Sequence, residues 1–213
     1  MNNVIKKLGE IGIVPVVSIT DAGKAVRLAE ALVEGGIPCM EITFRTEAGA
    51  EAIRLISKAM PEILVGAGTV LTTAQADAAI DAGAKFLVAP GFNPKTVDYA
   101  IEKGIPMLPG CATPSDMEQA IARNLEVVKF FPAQQAGGLA YIKAVSAPYT
   151  SLSFMPTGGI NIGNLKEYIS FKRILACGGS WMVSPELIDA GRFGEITKYS
   201  AEAVEAVKQA RGS

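Results

Sequence analysis

The sequence predicts an α/β fold on a parallel sheet, a single (β/α)8 barrel of the TIM type over residues 1–213, and three observations predict it. Short runs rich in Val and Ile alternate with longer amphipathic stretches. The runs are apolar almost throughout, as strands covered on both faces require. Eight such units in 213 residues average about 27 residues each, the compact end of what this barrel needs. The first strand is expected at 13–19, where Ile13-Val14-Pro15-Val16-Val17-Ser18-Ile19 stands, and a helix over 21–34 follows with Asp21 as its N-cap. A second strand at 37–44 leads to a helix at 47–60, and a third at 63–69 to a helix at 74–82. Further strands are expected at 85–89, 105–108, 125–130, 152–155 and 173–176, with helices at 94–103, 115–123, 138–146, 162–170, 184–190 and near 198–211. No linker or low-complexity stretch marks a second domain, and periodicity alone leaves a doubly wound open sheet as the rival topology.

Composition narrows the function classes. With 49% hydrophobic and 19% charged residues the chain has the profile of a globular domain. Lys plus Arg is 20 and Asp plus Glu is 21, so a net charge of -1 offers no field for a phosphodiester backbone or an anionic bilayer. Neither a nucleic acid nor a membrane partner is expected. No apolar stretch reaches about 18 residues and Met1-Asn2-Asn3-Val4-Ile5-Lys6-Lys7 lacks a signal-peptide core, so a cytoplasmic location is expected. Cys39, Cys111 and Cys177 lie far apart inside apolar runs, which reads as buried thiols in a reducing compartment. There is no histidine, and that excludes a Ser-His-Asp triad and histidine-ligated zinc.

In such a barrel the reactive groups sit at the C-terminal ends of the strands, so polar residues there carry the information. In Met40-Glu41-Ile42-Thr43-Phe44-Arg45, alternation puts Glu41, Thr43 and Arg45 on one face, the interior one. Four extended residues span about 13 Å, so Glu41 and Arg45 serve one small substrate only if the chain curls inward after Thr43; a structural Glu-Arg pair is the alternative. In the sixth strand, Lys129 stands alone among Val127, Val128, Phe130 and Phe131. Apolar burial disfavours the charged form of an amine, and a neutral amine attacks ketones to form a Schiff base without a metal. A lysine snorkelling to the rim is the plainer alternative. Pro156-Thr157-Gly158-Gly159-Ile160 and Cys177-Gly178-Gly179-Ser180 end the last two strands, where barrels commonly hold phosphate on backbone N–H groups. Gly66-Ala67-Gly68-Thr69-Val70 ends the third strand, with a hydroxyl toward the same mouth or a simple helix-starting turn.

With these residues in place, the chain resembles, nearly end to end, the 2-keto-3-deoxy-6-phosphogluconate (KDPG) and 4-hydroxy-2-oxoglutarate (KHG) aldolases, class I lyases that fold as (β/α)8 barrels. The resemblance is carried by Gly35-Gly36-Ile37, Glu41-Ile42-Thr43-Phe44-Arg45-Thr46, Gly66-Ala67-Gly68-Thr69-Val70, Ala89-Pro90-Gly91, Pro109-Gly110, Thr113-Pro114, Val128-Lys129-Phe130-Phe131-Pro132-Ala133 and Pro156-Thr157-Gly158-Gly159-Ile160-Asn161. It implies that Lys129 forms the imine and that Glu41 is the general acid and base. Arg45 and Thr69 then hold the substrate carboxylate, Phe131 packs beside the imine, and Pro90 lines the pocket. Thr157 counts among the substrate-binding residues, and Gly158, Gly159, Gly179 and Ser180 receive the phosphate. It also implies a small 2-keto acid phosphate substrate, a homotrimer, and neither metal nor cofactor. Ala89, where many relatives carry serine, and Gln134-Gln135, where an acidic residue is common, bear on substrate preference.

The implied reaction is cleavage of KDPG to pyruvate and glyceraldehyde 3-phosphate. The alternatives are an aldolase for 4-hydroxy-2-oxoglutarate or for the phosphogalactonate epimer, and, from other classes, a non-catalytic phosphate-ligand-binding barrel or a barrel isomerase.

Overall fold

Seven of the eight predicted strands form on their apolar runs, because a residue buried on either face of a parallel sheet must be apolar whichever way it points. The computed structural model describes residues 2–212. In chain order its elements are α1 (Asn3–Ile11), β1 (Ile13–Val17), α2 (Ala25–Glu34), β2 (Cys39–Thr43), α3 (Gly49–Ala59), β3 (Leu64–Gly68), α4 (Thr73–Asp81), β4 (Leu87–Val88), α5 (Pro94–Glu102) and β5 (Met107–Leu108). There follow α6 (Pro114–Ala122), β6 (Val127–Phe130), α7 (Gly138–Ser146), β7 (Ser153–Pro156), α8 (Leu165–Ile169), β8 (Cys177–Gly179), α9 (Pro185–Asp189) and α10 (Phe193–Arg211). Every residue of β1, β2 and β6 is buried.

All pairings are parallel. One sheet runs in the order β5-β4-β3-β2-β1-β8 and a second consists of β6 and β7. On one side of the β6–β7 pair, an isolated bridge joins Gly110 to Lys129, with Lys129 N–H donating to Pro109 O at 2.9 Å and Cys111 N–H to Lys129 O at 2.8 Å. On the other side, bridges join Phe154 to Ile174 and Thr157 to Gly178. The arrangement is an α/β fold with a curled six-stranded parallel sheet and a two-stranded partner. In the long sheet, Glu41 lies opposite Val16 of β1 and Gly66 of β3, and Thr43 opposite Gly68.

Helix starts follow local chemistry. Thr72, Asn93 and Thr113 cap α4, α5 and α6, Thr113 in a reciprocal capping box with Asp116. Asp21 does cap, accepting from Gly23 N–H at 2.9 Å, but the turn it starts is 3₁₀ (Ala22–Lys24) and α2 proper begins at Ala25.

Three expectations need correction. The segment α1 is helical, with Asn2 accepting from Val4 N–H at 2.8 Å and Ile5 and Leu8 buried. Asn2 and Ile5 line a small cavity with Pro106, Met107, Leu125 and Val127, at the strand ends opposite the cavity described below. The eighth strand is Cys177–Gly179 rather than 173–176, since Ile13, Val14 and Pro15 of β1 pair with Cys177, Gly178 and Gly179. Gly178 and Gly179 are therefore strand residues, whereas Gly158 and Gly159 are a true turn with φ of 98° and 76°. The last helix begins at Phe193, earlier than expected, and packs on α2 and α8. Among the described residues, no helix is long and apolar enough to cross a membrane.

Candidate active site

The sheet turns the alternation of β2 into a site. Glu41 and Thr43 point inward, the strand stops at Thr43, and Phe44 and Arg45 form a turn, which is the inward curl needed to bring Arg45 to the same cavity. That cavity has a volume of about 200 Å³ and opens where β1, β2, β3, β6 and β7 end. Its walls are Val16, Glu41, Thr43, Arg45 and Thr69 on one side and Pro90, Lys129, Phe131 and Thr157 on the other.

Lys129 does not reach for the rim. Its side chain is 6% exposed, that of Glu41 is 0% exposed, and Nζ lies 3.4 Å from Glu41 Oε1. Two charges taken out of water need excellent geometry and full hydrogen bonding to break even. Here the second carboxylate oxygen, Glu41 Oε2, is buried without a partner, as is Thr157 Oγ1. Buried polar atoms are almost always paired, so such orphans ask for an explanation. Two of the four orphans among the described residues line this one cavity, where a ligand would complete them.

Neighbouring strands are cut away to admit both groups. A Cβ at Gly68 of β3 would collide with the Glu41 carboxylate, and one at Gly178 of β8 would collide with Thr157 Oγ1. Glycine is required at both places for close approach. Thr69 holds φ at 58° in the left-handed region, which is strained for a β-branched residue and costs on the order of 1–3 kcal/mol. The ring of Phe131, 38% exposed, has its centroid 5.4 Å from Lys129 Nζ and covers the amine from the solvent side. Arg45 is exposed on its turn, and its Nε donates to Thr43 Oγ1 at 3.1 Å.

Not every expected residue joins this cavity. Gly158, Gly159, Gly179 and Ser180 lie outside its lining. The bridge from Thr157 to Gly178 nevertheless sets the ends of β7 and β8 side by side. The Gly158-Gly159 turn is tied to the loop after β6, with Ala133 N–H donating to Thr157 O at 2.8 Å and Gln134 N–H to Gly158 O at 3.1 Å. Two lining residues had no assigned role. Thr43 was visible on the face of Glu41, while Val16 carries no sequence signal because every residue of β1 is apolar.

The thiols are not rival nucleophiles. Burial pushes the Cys111 thiol up to about 12 and moves those of Cys39 and Cys177 further in the same direction. Among the described residues no three His, Cys, Asp or Glu side chains cluster as metal ligands.

Comparison with known proteins gives a consistent answer. The sequence profile of the KDPG and KHG aldolase family matches residues 4–199. The 2-dehydro-3-deoxy-phosphogluconate aldolase of Treponema pallidum is 46% identical over 97% of this chain and 99% of its own. A crystal structure of KDPG aldolase from Legionella pneumophila, with pyruvate captured as a covalent carbinolamine intermediate, superposes with a TM-score of 0.91 at 34% identity, covering 95% of this chain and 98% of that one. The 2-keto-3-deoxy-6-phosphogluconate aldolase of Zymomonas mobilis, solved with 3-phosphoglycerate, gives 0.87 at 36% identity over 94% of each chain.

Proposed function

The chain belongs to the KDPG and KHG aldolase family, and from that premise we propose how its cavity breaks a carbon–carbon bond. The protein is an aldehyde-lyase of the Schiff-base class that cleaves 2-keto-3-deoxy-6-phosphogluconate to pyruvate and glyceraldehyde 3-phosphate. The observation that carries the assignment of roles is the buried Lys129–Glu41 pair at 3.4 Å, with Glu41 Oε2 unpartnered.

The steps follow from that pair. Glu41 takes a proton from the Lys129 ammonium, leaving an amine whose lone pair adds to the C2 ketone. Glu41 returns the proton to the carbinolamine hydroxyl, water leaves, and the C2–N bond becomes a protonated imine. Glu41, again a carboxylate, removes the C4 hydroxyl proton directly or through one water. The C3–C4 electrons move into the imine, and glyceraldehyde 3-phosphate departs. The enamine is reprotonated at C3 from Glu41 and hydrolysed to pyruvate, restoring the amine. With Lys129 and Glu41 both buried, charge interactions along this path are stronger than they would be in water.

Arg45 and Thr69 hold the carboxylate, Phe131 and Pro90 wall the imine, and Thr157 offers its orphan hydroxyl to the substrate. Gly158, Gly159, Gly179 and Ser180 take the phosphate, a reading supported by the bridge that sets the two strand ends together. The bridges flanking β6 and β7 support a closed (β/α)8 barrel in one domain. A homotrimer and a cytoplasmic location complete the proposal on family likeness. The second reading, 4-hydroxy-2-oxoglutarate as the preferred substrate, is favoured by the position of Gly158, Gly159, Gly179 and Ser180 outside the cavity lining; kcat/KM on the two substrates decides between them.

Trapping tests the mechanism. The protein is incubated with pyruvate, reduced with borohydride and digested, and the modified residue is located by mass spectrometry. The adduct is expected on the peptide carrying Lys129. A folded protein that takes no label there overturns the Schiff-base assignment.

A further inference from the structure

We propose that Thr43 is a positioning residue that aims the Arg45 guanidinium at the substrate carboxylate, an inference that rests on Arg45 holding that carboxylate. Thr43 is 2% exposed and lines the cavity at the last position of β2. Its hydroxyl donates to Val17 O at 2.8 Å, so its proton is committed to β1. What remains on the oxygen is acceptor capacity, and Arg45 Nε fills it at 3.1 Å. A chain of two hydrogen bonds therefore runs from the backbone of a buried strand to a side chain on an exposed turn.

This matters because an exposed arginine has many rotamers, and each must be lost when the guanidinium grips a ligand. Thr43 removes part of that freedom before substrate arrives, which is pre-organisation in the sense that raises affinity. The choice of atom matters as well. Occupying Nε leaves the edge formed by the two terminal nitrogens for a carboxylate to meet with both oxygens. A serine at position 43 would keep the relay and a valine would keep only the shape.

The rate of borohydride-trapped adduct formation, measured against concentration for pyruvate and for hydroxyacetone, tests this. Hydroxyacetone is a ketone without the carboxylate. In Thr43→Val the half-saturating pyruvate concentration is expected to rise about tenfold, as loss of one charge-assisted hydrogen bond implies, with the maximal rate within about twofold. Hydroxyacetone trapping should be unchanged, Thr43→Ser should restore the parent behaviour, and Thr43→Val should add nothing in an Arg45→Ala background. Thr43→Ala carries the same test should the valine variant not fold. Equal weakening toward both ketones, full additivity with Arg45→Ala, or no change for pyruvate would overturn the inference. A wild-type protein that forms no pyruvate adduct would instead overturn the aldolase mechanism beneath it.

Discussion

Lys129 and Glu41 meet inside the molecule with side chains 6% and 0% exposed, whereas Arg27 and Glu30, at 60% and 36%, pair on the outer face of α2. The interior partners are 88 residues apart and held by two different strands. Arg27–Glu30, like Arg54–Glu51 and Arg192–Glu195, is an i,i+3 pair along one stretch of chain. Surface pairs of this kind form in high dielectric, are screened by salt, and contribute little. The interior pair loses hydration on both sides and keeps one carboxylate oxygen unsatisfied. Folding alone gains little from that arrangement, and a proton carrier beside a nucleophilic amine is the role we propose for it. The difference separates a solvated pair made within one helix from a desolvated pair made between two strands.

The most forceful way to break the comparison is to remove the interior charges. Lys129→Met should abolish adduct formation and lyase activity, and it should lower stability by about 3 kcal/mol because Glu41 is left buried and unpaired. Replacing both, Lys129→Met with Glu41→Met, should recover that loss and leave the protein inactive, as read from urea unfolding alongside a coupled assay. A double variant less stable than the single one would mean that the pair supports the fold.

A smaller effect sharpens the same point at Gly68. An alanine Cβ there collides with the Glu41 carboxylate, so Gly68→Ala should displace it and reduce kcat about 100-fold, the scale expected for a 1 Å misplacement at a reacting group. The control is Gly194→Ala on α10, where an added Cβ meets nothing within 4 Å and kcat should not change. If Gly68→Ala retained full kcat, the tight seat of the carboxylate would be irrelevant to turnover.

The smallest effect belongs to the surface. Arg27→Ala should shift unfolding free energy by no more than about 0.5 kcal/mol, with kcat unchanged. A loss above about 1 kcal/mol would erase the distinction drawn between the two kinds of pair.

Much of this was readable along the chain because its signals are local. Alternation within Met40 to Arg45 identified an inward polar face, and a lysine among Val and Phe identified Lys129, since a polar residue in an otherwise apolar strand is conspicuous without any partner. Other features lacked such a local mark. Gly178 and Gly179 read as a phosphate-holding end to the last strand, yet here they lie within that strand, opposite Val14 and Pro15. Only the folded chain explains why they are small, with Thr157 Oγ1 and the Trp181 ring filling the spaces their side chains would take. Val16 sat unnoticed in a run with no polar residue to orient it.

By itself the sequence determined the period of strand and helix, the inward polar positions Glu41 and Thr43, and the isolation of Lys129. These are properties of a side chain and its immediate neighbours, set by backbone alternation and by the cost of placing a polar group in an apolar run. Tertiary structure decided that Glu41 and Lys129 come to 3.4 Å, that Gly68 and Gly178 clear the space for the Glu41 carboxylate and the Thr157 hydroxyl, and that Thr43 meets the Arg45 Nε. Those outcomes depend on which strands pair and in what register. Register is fixed by the packing of the whole sheet against its helices, and no window of sequence contains it.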